Sequence, residues 1–444
     1  MKTRQIRWWK TFLIAGAAVV LLAEMASPLP SVYAAGVIKS EEGDLWISIG
    51  MGLRGGFAAV QNGSANGGSY NNSFGIDYAR IYINGGITKV IKFEFNTECF
   101  DCNGPGGNPF GQTSGSANGT TDIGLLDAIG KFEFNQFVNI WVGRLLVPYS
   151  RGELNGPFYS ATFNQYRTPF ESADFAGKFG TGGAGVYGRD NGVVFWGQVD
   201  PGYGHLQYSA GVFTGLQSSS TAGPNQQNSL LYAGRLTYNF LNPEKNPGYY
   251  TSGAYYGKAG DILALAFAPQ YQKHGAGTIV NQADLTVLES DLLFEKLLGN
   301  SGDKGVITVN AEYQQFFANY NNSSTTGAFQ PQFQAAGGNP NGCFCMFNGN
   351  SYYGTLMYLF PDKVGIAGLM GQFQPYARYT AVHPISSQDR QETEVGTNYI
   401  ISGFNARLGA FWQYGNLSSL GTNYANNATG AHHNAFKVAF QVQY

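Results

Sequence analysis

The final residues of the chain alternate between strongly apolar positions and polar or small ones. The apolar positions are Phe436, Val438, Phe440, Val442 and Tyr444. A period of two places successive side chains on opposite faces of a β-strand, so one face of this segment suits lipid and the other suits water. The same alternation recurs over residues 206–212, 372–380 and 405–414. The pattern predicts half-buried strands in many parts of the chain.

The segments between the alternating stretches are of two kinds, short turns and long polar loops. Short turns are predicted at 84–86, 135–136, 201–204 and 402–404. Long loops rich in Gly, Asn, Ser and Thr are predicted at about 61–72, 99–121, 148–190, 217–228, 319–350 and 417–434. Such asymmetry is typical of a barrel with one rim in the periplasm and the other outside the cell. The strands between these connections number about sixteen.

The composition favours a membrane barrel over several soluble domains. Charged residues make up 12% of the chain, about half the ~25% typical of soluble globular proteins. Aromatic residues reach 15%, and there are 62 glycines. After residue 35 no apolar stretch approaches the ~20 residues of a membrane-spanning helix. We therefore expect an all-β protein, a transmembrane antiparallel β-barrel of about 16 strands in the outer membrane.

The N-terminus has the features of a secretory signal. Basic residues within the first ten positions precede an apolar run over 11–23. Val32-Tyr33-Ala34 offers a cleavage site, which predicts a signal peptide over 1–34 and a mature barrel over 35–444. The alternative is an uncleaved anchor helix, but the apolar run is too short to span a bilayer. Removing the segment takes four cations and Glu24 from a chain of net charge −2, and the mildly acidic remainder excludes a nucleic-acid binder.

Four segments, spread over most of the predicted mature chain, follow a recognisable strand–turn order. They are 143–149 (GRLLVPY), 206–215 (LQYSAGVFTG), 395–412 (VGTNYIISGFNARLGAFW), and 79–85 (ARIYING) followed by 92–95 (KFEF). In this order they resemble the phosphate-selective porin O and P family of outer-membrane porins. The resemblance implies a 16-stranded homotrimeric barrel with one loop folded into the pore, and a channel for small solutes or anions such as phosphate.

Selectivity in a pore comes from charges on its wall and at its constriction. The polar faces of the predicted strands direct seven charged residues toward the lumen, namely Lys92, Glu94, Arg235, Glu312, Arg378, Glu394 and Arg407. The alternative is that these charges only solvate the wall. The inward-folding loop at about 148–190 supplies the constriction candidates Arg151, Arg167, Lys178, Arg189, Glu153 and Glu171. The loop contains four cations and four anions, and this balance favours weak selectivity. The alternative is that the cations fasten the loop to the wall.

The four cysteines fall in two close pairs within predicted loops. They are Cys99, Cys102, Cys343 and Cys345. An even count in an exported protein favours disulfides, with three possible connectivities. The alternative is a four-thiolate metal site or a redox centre, but the second pair is spaced more closely than a metal knuckle. No histidine follows either pair, so nothing in the sequence supports covalent haem attachment, and we expect no cofactor and no metal.

Catalytic motifs are absent from the sequence. None of the five histidines stands in a nucleophile or zinc motif. The leading hypothesis is a passive diffusion pore and not an enzyme, with outer-membrane lipid and small hydrophilic solutes or ions as partners. The final strand, which ends on an aromatic residue, also predicts recognition by the barrel-assembly machinery. The alternatives are a barrel that acts as a sheath or docking platform for a redox or surface partner, and an outer-membrane hydrolase.

Overall fold

The computed structural model describes residues 36–444 except 41–43, 65–67, 100–122, 164–187, 216, 219, 221–224, 278–281, 319–348, 385–388 and 417–431. The predicted signal peptide over 1–34 lies outside the described residues. No helix within the described ranges is long and apolar enough to span a membrane.

The described elements are eighteen strands and one short helix. The strands are β1 (Gly36–Lys39), β2 (Trp46–Val60), β3 (Asn71–Gly86), β4 (Ile91–Cys99), β5 (Ile123–Glu133), β6 (Asn139–Leu146), β7 (Arg189–Val199), β8 (His205–Phe213), β9 (Leu231–Asn239), β10 (Ile262–Gly277), β11 (Gln282–Leu297), β12 (Val306–Ala318), β13 (Gly349–Leu359), β14 (Val364–Ile366), β15 (Leu369–Pro384), β16 (Arg390–Ile400), β17 (Ala406–Gly415) and β18 (His433–Gln443). The helix α1 spans Arg151–Asn155.

Sixteen of these strands close into one antiparallel barrel. Each strand from β2 onward pairs with the next, except that β13 pairs with β15 and the short β14 pairs only with the first residues of β15. The barrel closes where β18 pairs with β2, from Ala435 opposite Val60 to Gln443 opposite Gly52. The short β1 pairs with the start of β2. Closure leaves no long strand edge unpaired, and the predicted count of sixteen is confirmed.

The outer face of the barrel is apolar. On β18 the inward Ala435 and Ala439 are buried, whereas the outward Val442 is 49% exposed. Large apolar side chains are exposed on every side of the barrel, including Phe74, Phe195, Leu236 and Leu356. The two faces thus meet different media, which is the physical origin of the alternation in the sequence.

Tyrosines mark the rim formed by the short turns. Tyr208, Tyr238, Tyr358 and Tyr399 each donate a phenolic hydroxyl to a backbone carbonyl at or beside a neighbouring turn. An aromatic ring with its body in hydrocarbon and its hydroxyl at a polar surface suits the membrane–water interface. The belt of apolar residues and this girdle together place the barrel wall in a bilayer.

The predicted turn at 84–86 is wrong, because these residues end β3. Gly85 pairs with Phe93 and Gly86 pairs with Lys92, and the chain turns at 87–90 instead. A Cβ at Gly85 would lie 2.4 Å from the Phe93 ring, and a Cβ at Gly86 would lie 2.2 Å from Nε1 of Trp46. The glycines therefore serve close packing of aromatic rings over the strand rather than a turn.

Candidate pore and its constriction

Two chain segments enter the lumen from opposite rims. One is the segment 147–163, which follows β6, overlaps the start of the predicted loop 148–190 and is called here the inner loop. The other is the connection between β9 and β10, residues 240–261, called here the inner turn. They meet inside the barrel, where Gly253 donates its N–H to the carbonyl of Tyr159 at 2.8 Å and the Thr251 hydroxyl donates to the carbonyl of Arg151 at 2.9 Å. The lumen is therefore narrowed from both ends.

The inner loop begins with the single-turn helix α1. Ser150 caps this helix by accepting a hydrogen bond from the N–H of Glu153 at 3.3 Å. Gly156 ends it at a positive φ of 55°, a conformation that favours glycine. This turn directs Arg151 away from the wall of β6 and into the space between β11 and the inner turn.

Arg151 joins the inner loop, the inner turn and the wall. Its guanidinium donates two hydrogen bonds to Glu244 at 2.7 Å, one to Asp291 at 3.0 Å and one to the carbonyl of Ser252 at 3.1 Å. Burial alone would lower the pKa of Arg151, but Glu244 and Asp291 more than offset this and raise the pKa well above its ordinary value. Arg151 is therefore a permanently charged clamp that fastens the loop to the wall.

The opposite wall holds the inner loop through its backbone. Arg54 donates to the carbonyls of Pro157 and Phe163, and Arg407 donates to the carbonyl of Ala161 at 3.2 Å. Both guanidinium groups also lie over the ring of Phe163, Arg407 at 4.5 Å from its centroid. The loop is thereby fastened across the lumen between β11 on one side and β2 with β17 on the other.

One side of the lumen is a hydrophobic core rather than an aqueous space. Trp141 projects inward from β6 and is completely buried. The rings of Tyr249 and Tyr250, from the inner turn, each lie 5.3 Å from the Trp141 ring, and Leu154 of α1 completes the cluster. This cluster fills the region beside β5 to β9, so any open path lies nearer the remaining strands.

All seven predicted lumen-wall residues lie on inward positions of their strands. Their contacts are Lys92 with Glu133, Glu94 with Lys131, Arg235 with Asp291, Glu312 with the N–H of Gly152, Arg378 with Glu394, and Arg407 with Gln441. All seven are either more than nine-tenths buried or engaged in an ion pair. These contacts fasten the lumen contents and balance charge along the wall.

Three of the six constriction candidates lie within the residues that the structure describes, and three lie outside them. Arg151 and Glu153 lie in α1, and Arg189 begins β7 and pairs with Asp127 at 2.6 Å. Arg167, Glu171 and Lys178 lie outside the described residues. Cys99 ends β4 and is disulfide-bonded, while Cys102, Cys343 and Cys345 lie outside the described ranges, so the connectivity stays a prediction.

Sequence reasoning missed the inner turn and its partners. The sequence did not predict the carboxylates that pair with Arg151 and Arg189, which are Glu244, Asp291 and Asp127. The only local signal was the length of the connection between β9 and β10, which is long for the rim that carries the short turns.

A polar cleft lies between the inner loop and the wall formed by β12, β13 and β15. Its volume is about 350 Å³, including space continuous with solvent. The lining residues are Gly152, Asn155, Ser160, Ala161, Thr162, Gly253, Asn310, Tyr353, Thr355 and Arg378. The cleft adjoins both inner segments, so it is the candidate constriction of the pore.

Comparison with known proteins gives no relative by sequence. No protein-family model matches the chain, and no curated protein matches it. The resemblance to the phosphate-selective porin O and P family therefore stays a prediction.

Solved structures share the fold. The anion-selective porin from Comamonas acidovorans has 14% identity and a TM-score of 0.51, and the match covers 90% of this chain and 99% of that one. OprB of Pseudomonas putida has 8% identity and a TM-score of 0.52, over 90% of this chain and 94% of that one. OmpF of Salmonella typhi, solved in complex with daunomycin, has 12% identity and a TM-score of 0.50, and the match covers 92% of this chain and 100% of that one.

These identities are low, so the similarity concerns the fold. The chain has the sixteen-stranded barrel architecture of outer-membrane porins, and its apolar outer belt makes it an outer-membrane protein.

Proposed function

We propose that the protein is a passive diffusion channel for small hydrophilic solutes and ions, with weak ion preference and no catalytic activity. The observation that supports this most is the combination of an apolar outer belt with a polar cleft beside the inner loop. A barrel with that arrangement offers water-soluble molecules a route across a bilayer that is limited in width by the two inner segments.

The pairing of charges supports weak selectivity. Arg151, Arg189, Arg235 and Arg378 each lie within 3.0 Å of a carboxylate oxygen. A neutralised cation attracts a passing anion far less than a free one, because the two fields largely cancel beyond a few ångströms. We therefore expect weak ion preference and no dominant phosphate specificity.

The occupied lumen argues against a sheath for a threaded partner. The inner loop and the inner turn meet near the middle of the barrel and are held by the Arg151 cluster. A partner chain would have to break these contacts before it could enter. A homotrimeric state is proposed from the family resemblance alone, and chemical cross-linking in detergent would test it.

Planar-bilayer recording of the refolded protein tests the channel proposal. We expect discrete conductance steps and a small reversal potential under a potassium chloride gradient. Absence of steps from correctly folded protein would refute the channel. A reversal potential near the ideal anion value would refute weak selectivity and point back to the phosphate-specific function.

A further inference from the structure

The inner loop is almost entirely covered by the lumen wall and the inner turn, with one exception. Tyr159 is 48% exposed, whereas the other residues of 147–163 are buried or half-buried. The loop lies inside the barrel, so the medium that this side chain meets is the water of the lumen. A water-filled space therefore reaches the inner loop at Tyr159.

Tyr159 lies between the rim of short turns and the inner wall of β4. Its carbonyl accepts the N–H of Gly253 at 2.8 Å, and its ring lies 5.6 Å from the ring of Phe404 in the turn between β16 and β17. The pKa of its phenol is raised, first because the barrel limits hydration of the ring and second because the Glu94 carboxylate is near. The phenol therefore faces the part of the wall that carries Glu94.

The other parts of the wall are closed against the inner loop. Gln441 of β18 donates to the carbonyl of Phe158 at 2.8 Å, and Asn398 of β16 donates to the carbonyl of Ala161 at 3.2 Å. The cleft beside β12, β13 and β15 has room for about one water molecule. The Trp141 cluster fills the region beside β6 to β9 and reaches the middle of β5. The wall of β4, with the adjoining end of β5, remains for a wider passage.

Four charged residues form this part of the wall, called here the charged wall, namely Lys92, Glu94, Lys131 and Glu133. Lys92 lies 2.6 Å from Glu133, and their side chains are 32% and 22% exposed. Lys131 pairs with Glu94, at 9% and 12% exposure. The side chain of Arg235, on the closed side of the lumen, is only 2% exposed. Water therefore reaches the charged wall as it reaches Tyr159, and two cations there balance two anions.

We propose that ions and small solutes pass between Tyr159 and the charged wall, and that these five residues set the ion preference of the channel. The inference rests on the proposed channel function and adds a route and its lining to it. A hydrated charge acts on a passing ion at short range, whereas a buried ion pair on the far side of the inner loop is both distant and neutralised. Because the charged wall is balanced, the wild-type preference is weak.

Reversal potentials of charge variants test the route. In a planar bilayer under a potassium chloride gradient, Tyr159→Lys should shift the reversal potential toward the chloride value and Tyr159→Glu toward the potassium value. We expect the anion-to-cation permeability ratio to change about fivefold in each case, since a unit charge changes the energy of an ion ~4 Å away in water by about 1 kcal/mol. Lys92→Gln leaves Glu133 without its partner and should shift the reversal potential toward the potassium value.

Matched controls make the same charge changes outside the lumen. Tyr203, in the turn between β7 and β8, is 93% exposed, and Lys296 pairs with Asp261 from an outward position of β11. Tyr203→Lys, Tyr203→Glu and Lys296→Gln should leave the reversal potential unchanged. Each variant is recorded from protein that shows the gel mobility of a folded barrel before heating.

If the channel conducts but both Tyr159 variants keep the wild-type reversal potential, the route past Tyr159 is refuted and the channel stands. If they shift while Lys92→Gln does not, the charged wall is refuted as the determinant of ion preference. Equal shifts in the Tyr203 variants would show an effect of net charge alone and would also refute the route. If folded wild-type protein gives no conductance steps, the channel function itself fails.

Discussion

Replacing Arg151 by methionine removes the clamp between the inner loop, the inner turn and β11 while keeping most of the side-chain volume. The change breaks two hydrogen bonds to Glu244, one to Asp291 and one to Ser252. Asp291 keeps its partner Arg235, at 2.5 and 3.0 Å. Glu244 instead loses its ion-pair partner and keeps the hydroxyl of Tyr255 at 3.0 Å. The uncompensated charge therefore falls on the inner turn.

The expected magnitude follows from the burial of the pair. The side chain of Arg151 is 0% exposed and that of Glu244 is 4% exposed. Breaking a buried ion pair by removing one partner costs about 3–5 kcal/mol. Taking the lower end, because an aqueous lumen can rehydrate Glu244, about 3 kcal/mol corresponds to roughly a hundredfold increase in the ratio of detached to docked inner segments.

Single-channel recording measures this detachment directly. Arg151→Met should give larger and noisier conductance steps than wild type, and Arg151→Met with Glu244→Gln should recover much of the wild-type trace because the stranded charge is gone. Lys296→Met is the control, since its ion pair with Asp261 lies at the rim with 48% of the lysine side chain exposed, where such pairs contribute little. A channel indistinguishable from wild type in Arg151→Met would refute the clamp.

Two further predictions concern the inner turn. Gly248→Ala should destabilise the docked turn by about 2–4 kcal/mol, because φ is +57° there and a Cβ would lie 2.4 Å from the Trp141 ring. Gly202→Ala is the control for the effect of positive φ alone, because φ is +93° at Gly202 and no atom lies within 4 Å of its Cβ position. Denaturant unfolding of the two variants checks this, and equal losses would contradict the steric argument. Burial raises the pKa of Tyr256 from 10.0 to about 12, although Arg407 lowers it in part, so the turn gains stability that is complete below pH 10 and is lost as pH rises through about 12. Channel noise should therefore increase between pH 10 and 12 in wild type and less so in Tyr256→Phe; an equal increase in both would sink the assignment.

The strands were predictable because each of their faces meets a different medium. In β17 and β18 the outward residues contact lipid and the inward ones contact the wet lumen, so period-two alternation appears in the sequence. The parity of the strands then placed charges such as Glu94 and Arg378 on the inner wall. These inferences need only local sequence and one rule of geometry.

The strand β11 shows where this rule fails. Its inward positions include Leu285, Val287 and Leu293, which are fully buried, and Leu293 packs against Ala259 of the inner turn. Because the lumen holds a second layer of protein here, the inward face is partly apolar and the alternation is weak. For this reason neither the boundaries of β11 nor the inward position of Asp291 could be predicted from the sequence.

The lumen contents depend on contacts far apart in the chain. Arg151 and Asp291 are separated by 140 positions, and they meet only because the barrel closes and both inner segments enter it. No local pattern distinguishes a tyrosine-rich turn that folds inward from one that remains at the rim. The inner turn is therefore a property of the closed barrel and could not be derived from its own residues.

Swelling of proteoliposomes in neutral solutes of graded size tests the central claim most directly, because it requires a water-filled route and reports its width. The structure predicts rapid swelling with small polyols and a steep fall in rate with increasing solute size, with a shallower fall in Arg151→Met. Liposomes that contain folded barrel but do not swell in the smallest solute would show that the lumen is closed and would contradict the account.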